Sequence, residues 1–289
     1  MGGIDLALAI DVGGTKLAAA LVTADGEVVA RAAGPTPVTD DAEEVFDRLL
    51  AVADAVAGNG EVAVCGVGCG GPMAPGGEAV SPLNIGAWRD FPLRARLGEA
   101  TGLPTFVDND AKALALGEGW RGAAAGASDF LAMVVSTGVG GGIVLDGRLL
   151  DGAGGNAGHI GHLMVEPEGR TCACGARGCL EAEASGPSIA AATGRPPAEA
   201  TPEVVTRTAT MVGRAVASVA NLLDLPLAVV AGSVALGFGA PFFAAAQAEI
   251  DRRARLDFSA GTRIVPAGLG DAGPLVGAAA VGWRGLGRC

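Results

Sequence analysis

Apolar residues along this chain gather into short runs that stop at glycine, separated by stretches in which they recur every three or four positions. "LALAIDVGG" is a run of the first kind and predicts a buried strand closed by a tight turn. "KLAAALVTADGEVVARA" places two apolar runs around Asp25-Gly26, a hairpin signal. "DAEEVFDRLLAVADAVAG" has helical spacing with acidic residues in its first turn. "VAVCGVGCGGP" reads as a buried strand ending in a Gly-Gly-Pro turn, and "LPTFVDND" as another strand, followed by a helix that begins around Asp110. Small residues in "RGAAAGA" mark a boundary, after which the pattern restarts in "FLAMVVSTGVGGGIVLDG" as strand, glycine turn and strand. Thr201 as a cap and Pro202 open a long helix to about Leu223, with Val204, Val212, Val216, Val219 and Leu223 on one face. "PLAVVAGSVA" is a strand ending at Gly232-Ser233, and "TRIVPAGLGDAGPLVGAAAVGW" predicts a last strand, a turn and an apolar helix.

The strand–glycine turn–strand unit therefore occurs in both halves, a coarse internal repeat. Two α/β lobes, each with such a turn and facing one another, would make a cleft. With 289 residues, 50% of them apolar, the chain can bury the core of one large domain or two ordinary ones. Its net charge of −11 works against binding nucleic acid or acidic membranes, and no apolar run approaches the roughly 20 residues that span a bilayer. The N-terminus has no basic leader, and Met1-Gly2-Gly3 lacks the hydroxyl position of a myristoylation signal. Six cysteines are too few for a disulfide scaffold; Cys65 and Cys69 are expected as small buried residues, and Cys289 is terminal. The expected compartment is the cytoplasm.

Chemistry concentrates at four places. In "DVGGTK" two glycines let the backbone turn and bring N–H groups close to a ligand, while Thr15 offers a hydroxyl, Lys16 a cation and Asp11 a carboxylate. That mixture suits a phosphate chain carrying magnesium. "STGVGGG" offers a second nest of donors with the hydroxyls of Ser136 and Thr137. Each could also be only a tight turn; their equivalent placement, with Asp and Lys at the first, favours a nucleotide site. In "VDNDAKALALGEG", Asp110 stands at a strand-to-helix junction, where it can be a helix cap or a base that takes a proton from an alcohol as phosphate arrives.

The fourth place is "GHIGHLMVEPEGRTCACGARGCLE", which holds both histidines of the chain. His162, Cys172, Cys174 and Cys179 form a one-His, three-Cys set that matches a closed tetrahedral zinc site, with Gly175 and Gly178 allowing the backbone to fold back. Cysteines one residue apart pair poorly as a disulfide, which favours metal over oxidation. With few apolar residues in the segment, the metal is expected to supply folding energy on the order of 10 kcal/mol. His159 is spare and is read as a substrate contact; Glu181 is a second polar group beside the loop.

"DVGGTK", "NDAKALALGEG", "STGVGGG", "GHIGH" and "CACGARGCLE" occur in the order seen in the ROK family of sugar kinases and related repressors, and the resemblance runs to "GDAGPLVGAAAVG" near the C-terminus. It implies an α/β, actin/hexokinase-like ATPase fold: two α/β domains around a cleft, with a zinc loop in the second. The first domain would take residues 1–120 and 275–289, and the second residues 121–274. It implies an ATP-binding set of Asp11, Gly13, Gly14, Thr15 and Lys16, then Thr137, Gly138 and Gly140, then Gly232 and Ser233. Asp110 would be the catalytic base acting on a C6 hydroxyl, and Gly71, Asn84, Asn109, Asp110, His159, His162 and Glu181 would bind sugar. Zn2+ would be structural, on His162, Cys172, Cys174 and Cys179, and Mg2+ would arrive with ATP.

The expected activity is transfer of the γ-phosphoryl group of ATP to a hexose, glucokinase-type, with N-acetylmannosamine or another N-acetylhexosamine as the alternative acceptor. A homo-oligomer, dimer or tetramer, is also implied. A sugar-sensing repressor would need a DNA-binding helix-turn-helix, and the first strand begins within ten residues, so the kinase is favoured. Two positions depart from the family pattern. His159 replaces a glutamate, and a neutral histidine can donate a hydrogen bond to an N-acetyl carbonyl. Lys112 replaces a common asparagine, and is expected either on the exposed helix face or as a charge near Asp110.

Overall fold

The computed structural model describes residues 5–56 and 61–288. Met1 to Gly3 and Cys289, considered above, lie outside the described residues. The chain divides into two compact units, Met1–Gly122 with Asp151–Ala157 and Leu269–Cys289, and Ala123–Leu150 with Gly158–Gly268.

The first unit contains strands β1 (Leu6–Val12), β2 (Lys16–Thr23), β3 (Val28–Pro35), β4 (Val62–Cys69) and β5 (Thr105–Asn109), with helices α1 (Ala42–Asp54), α2 (Leu93–Thr101) and α3 (Asp110–Arg121). Its sheet runs β3-β2-β1-β4-β5, antiparallel across β3, β2 and β1 and parallel across β1, β4 and β5. Apart from Asp11, Lys16 and Thr23, β1 and β2 are apolar because both faces of the sheet are covered. One face packs Ile10, Leu17, Val67 and Phe46 from α1, and the other packs Ala7, Ala9 and Ala20 against the last helix. β3 alternates half-buried with exposed residues, as an edge strand does.

The second unit contains β6 (Phe130–Val135), β7 (Val139–Leu145), β8 (Arg148–Leu149), β9 (Leu227–Ala231) and β10 (Arg263–Pro266), with α4 (Leu180–Ala184), α5 (Gly186–Thr193), α6 (Pro202–Leu223), α7 (Ser233–Phe238) and α8 (Ala240–Arg253). Its sheet order is β10-β9-β6-β7-β8. The chain then returns to the first unit for α9 (Gly273–Gly285).

Read from the opposite edge, the second order becomes β8-β7-β6-β9-β10, the same topology as β3-β2-β1-β4-β5 with the same parallel and antiparallel pairings. The repeat seen in two glycine turns thus extends to whole sheets. In α6, Val212, Val216 and Val219 are buried as their spacing predicts. Thr201 corrects one expectation: it occupies the cap position without a capping side-chain bond. Its side chain instead hydrogen-bonds the carboxylate of Glu203, which holds that carboxyl below its usual range.

Candidate functional site

In the first unit, the parallel strands bring their C-terminal ends to one edge, where open α/β sheets place ligands. Val12, Cys69 and Asn109 are lateral neighbours there, and one residue earlier Asp11, Gly68 and Asp108 form the adjoining row. The β1–β2 turn closes with Gly13 N–H donating to the Lys16 carbonyl at 3.0 Å. A Cβ on Gly14 would collide with Asn84, so this glycine is needed to let the turn and the Asn84 loop touch. A Cβ on Gly71 would lie 3.3 Å from Asn109 Nδ2, which puts that turn against the β5–α3 junction. Asp11, Gly13, Gly14, Gly71, Asn84, Asn109 and Asp110 are therefore drawn to one edge, although they span about a hundred residues of chain.

At that junction Asn109, not Asp110, is the helix cap: its side chain accepts from Ala111 N at 3.0 Å. Asp110 is the first helical residue and is exposed, with its own Oδ1 also 2.8 Å from Ala111 N. Gly68 separates the two acids; a Cβ there would lie 3.7 Å from Asp110 Cα and 4.0 Å from Asp11 Oδ1. Burial raises the Asp11 pKa to about 7, the charge of Asp110 adds to the rise, and Lys16 opposes it. An acid so placed favours a nearby cation.

Two neighbours of the site, Thr36 and Gly68, were not visible in sequence. Thr36 donates to the Gly13 carbonyl at 2.7 Å and pins the turn from β3's end, with no local signal because its partner is 23 residues away. Gly68 looks like any other strand glycine until Asp11 and Asp110 are placed around it. Of the two placements expected for Lys112, the structure overturns the exposed helix face. The residue is 2% exposed, and its Nζ lies 2.8 Å from both Asp108 Oδ1 and Asp151 Oδ1. A cavity of about 460 Å³ lies beside it, lined by Met73, Gly77, Asp108, Lys112, Asp151 and Arg284; Asp11 and Asp110 do not line it.

In the second unit, the β6–β7 turn carrying Thr137, Gly138 and Gly140 closes with Ser136 N–H donating to the Gly138 carbonyl at 3.0 Å. Gly232 stands at φ 99° after β9, hard against the backbone of Val135, which only glycine permits. Ser233 Oγ is 2.9 Å from Ser136 Oγ, so the two turns meet. Glu181 Oε2 accepts from Val139 N at 2.9 Å, which ties this carboxylate to the second glycine turn, a link that its place beside the cysteines did not suggest. The rings of His159 and His162 stack with centroids 6.1 Å apart, and both residues are exposed.

The ligand atoms of His162, Cys172, Cys174 and Cys179 all lie within 4.8 Å of one another, a Cys3His cluster that could hold a metal ion. Cys172 Sγ is 3.8 Å from His162 Nδ1, and Cys174 Sγ is 3.8 Å from Cys179 Sγ. Tetrahedral zinc with bonds of about 2.3 Å to sulfur spaces two thiolates by about 3.8 Å, so the donor set fits in kind and size. Gly175 and Gly178 adopt φ of 91° and 73°, folding the backbone around the cluster. The loop has a second anchor. Glu183 is fully buried, accepts from Arg170 N at 2.6 Å, and pairs with the Arg207 guanidinium. Burial pushes its carboxyl up, but these bonds and charges hold it below the usual range.

A ROK family model matches residues 7–283. The chain belongs to the ROK family. It is 39% identical over 250 residues to an N-acetylmannosamine kinase of Escherichia coli O157:H7, covering 80% of this chain and 84% of that one. Among solved structures, a ROK family glucokinase from Streptomyces griseus, in complex with glucose and AMPPNP, superposes with a TM-score of 0.84 at 29% identity over 96% of this chain and 99% of its own. A ROK hexokinase from Thermus thermophilus superposes with a TM-score of 0.84 at 32% identity, over 98% and 100% of the two chains. The hexokinase-like fold is thereby established, and with it the enzyme class: a phosphotransferase of the sugar-kinase type. Among the described residues no helix is long and apolar enough to cross a membrane.

Proposed function

We propose that this enzyme transfers the γ-phosphoryl group of ATP to the C6 hydroxyl of N-acetylmannosamine. Asp110 takes the hydroxyl proton, the alkoxide oxygen bonds to the γ-phosphorus, and the bond to the β-phosphate oxygen breaks to release ADP. Such a transfer needs an oriented acceptor and charge stabilisation more than covalent help. Asp11, Gly13, Gly14, Thr15 and Lys16 bind the nucleotide's phosphates, together with Thr137, Gly138 and Gly140, and Gly232 and Ser233 lie at its adenosine. Magnesium accompanying ATP supplies charge neutralisation, and the carboxylate of Asp11 fits its water shell. Gly71, Asn84, Asn109, His159, His162 and Glu181 bind the sugar. His162, Cys172, Cys174 and Cys179 hold structural zinc.

The observation that carries the chemistry is the placement of Asp110 and Asp11 on either side of Gly68, at the edge where the first glycine turn also lies. The acceptor rests on the 39% identity to an N-acetylmannosamine kinase and on His159, whose ring can donate to an N-acetyl carbonyl where the family's glutamate cannot. Glucose is the second reading, supported by the likeness to the glucokinase in complex with glucose. ADP release measured against N-acetylmannosamine, N-acetylglucosamine, glucose, mannose and fructose separates the two. Turnover with glucose alone would replace the first reading with the second. Asp110→Asn should lower kcat by about 10³-fold while sugar binding persists, the scale of losing a positioned base; an unchanged kcat removes Asp110 from that role.

A further inference from the structure

Lys112 and the charged groups around it have no part in the reading above, though they sit directly behind it. The Lys112 ammonium donates hydrogen bonds to Asp151 Oδ1 at 2.8 Å and to the Gly155 carbonyl at 3.3 Å, and forms an ion pair with Asp108 Oδ1 at 2.8 Å. Its charge is balanced by two carboxylates inside the protein, which argues against a ligand-binding lysine despite the adjoining cavity. Arg284 of α9 closes the cluster from the far side, 3.1 Å from Asp151 Oδ2 and 3.6 Å from Asp108 Oδ2.

Asp108 makes a second bond that gives the cluster a function. The same Oδ1 that receives Lys112 also accepts from Asn109 N at 2.8 Å. Lys112 stands two residues beyond Asp110 on α3, so strand end and helix start are tied together across the junction that carries Asn109 and Asp110. The outer partner, Asp151, opens the 151–157 segment, which the cluster fastens to the same unit; that segment continues along the chain into Gly158 and His159. We propose that Lys112, with Asp108 and Asp151, is a positioning clasp that sets the direction of the Asn109–Asp110 turn and so governs use of the sugar rather than of ATP. The proposal rests on the kinase reading given above.

The test is steady-state kinetics with N-acetylmannosamine and ATP varied separately, alongside thermal unfolding, for Lys112→Met and Asp151→Asn. Lys112→Met is expected to lower kcat/KM for the sugar by about 30-fold, since displacing a reacting group by about 1 Å can cost on the order of 100-fold. KM for ATP should stay within about twofold of the parent, as the β1–β2 turn lies outside the clasp. Asp151→Asn alters a half-exposed side chain and leaves Lys112 its Asp108 partner, so it should fold even if Lys112→Met does not. Its expected loss in sugar kcat/KM is smaller, about fivefold, again with ATP KM unmoved. Unchanged sugar kinetics in Asp151→Asn overturn the proposal. Equal losses for sugar and ATP accompanied by a lower melting temperature overturn it too, because a merely structural network would behave that way. Asp110→Asn, assayed in parallel, keeps the kinase reading separate: its loss of turnover upholds that reading whatever the clasp variants do.

Discussion

Asp11 and Asp110 show how much a single residue's chemistry depends on its neighbours. Each is recognisable in sequence from its motif, yet the interaction between them is not, because it passes through Gly68 on a third strand. With its pKa raised from 3.8 to about 7, Asp11 keeps a proton in the native state that the unfolded chain has lost. Stability from this group is therefore fully present below about pH 4 and is lost as pH rises towards 7. Asp11→Asn should accordingly flatten the fall in melting temperature between about pH 4 and pH 7 relative to the parent; parallel profiles for the two proteins would contradict the assignment. Lys112 teaches the same lesson in the opposite direction. A lysine early in a helix can face solvent, and its burial here is made tolerable by the carboxylates of Asp108 and Asp151 and the Gly155 carbonyl.

At the level of elements, the strands were legible because their apolar runs are short and end in glycine, and α6 because its valines recur on one face. What periodicity could not give is which elements touch. Helices α3 and α9 approach closely through facing glycines: a Cβ on Gly277 would lie 2.5 Å from the Ala113 carbonyl, and one on Gly117 would lie 2.9 Å from Gly277 Cα. Gly277→Ala must push α3 and α9 apart, at a cost of about 1–3 kcal/mol. Because α3 begins at Asp110, the same variant is expected to lose turnover beyond its loss of stability, measured by denaturant unfolding and ADP release on one preparation. Stability and activity both equal to the parent would mean that this contact does not set the helix position. The cysteine segment is the other element whose partners were hidden. Its Cys3His donors are contiguous enough to read, whereas Glu183 needs Arg207 from α6, 24 residues on, to become an anchor.

For the whole molecule, two units with separate cores make local failure possible without global collapse. Cys174→Ser should abolish bound zinc, measured as metal per chain, and expose residues 163–179 to protease while the first unit stays intact. A parent protein that is active and protease-resistant without zinc would remove the metal from the account. The sequence by itself determined the α/β class, the doubled strand–turn–strand pattern, the Cys3His donor set and the family, because each depends on spacing within a few dozen residues or on contiguous motifs. Only the tertiary structure decided that the duplication extends to sheet order, that Asn109 rather than Asp110 caps α3, and that Lys112 is buried among acids. Those outcomes depend on contacts between residues remote along the chain, which sheet pairing and burial select and which no local pattern encodes.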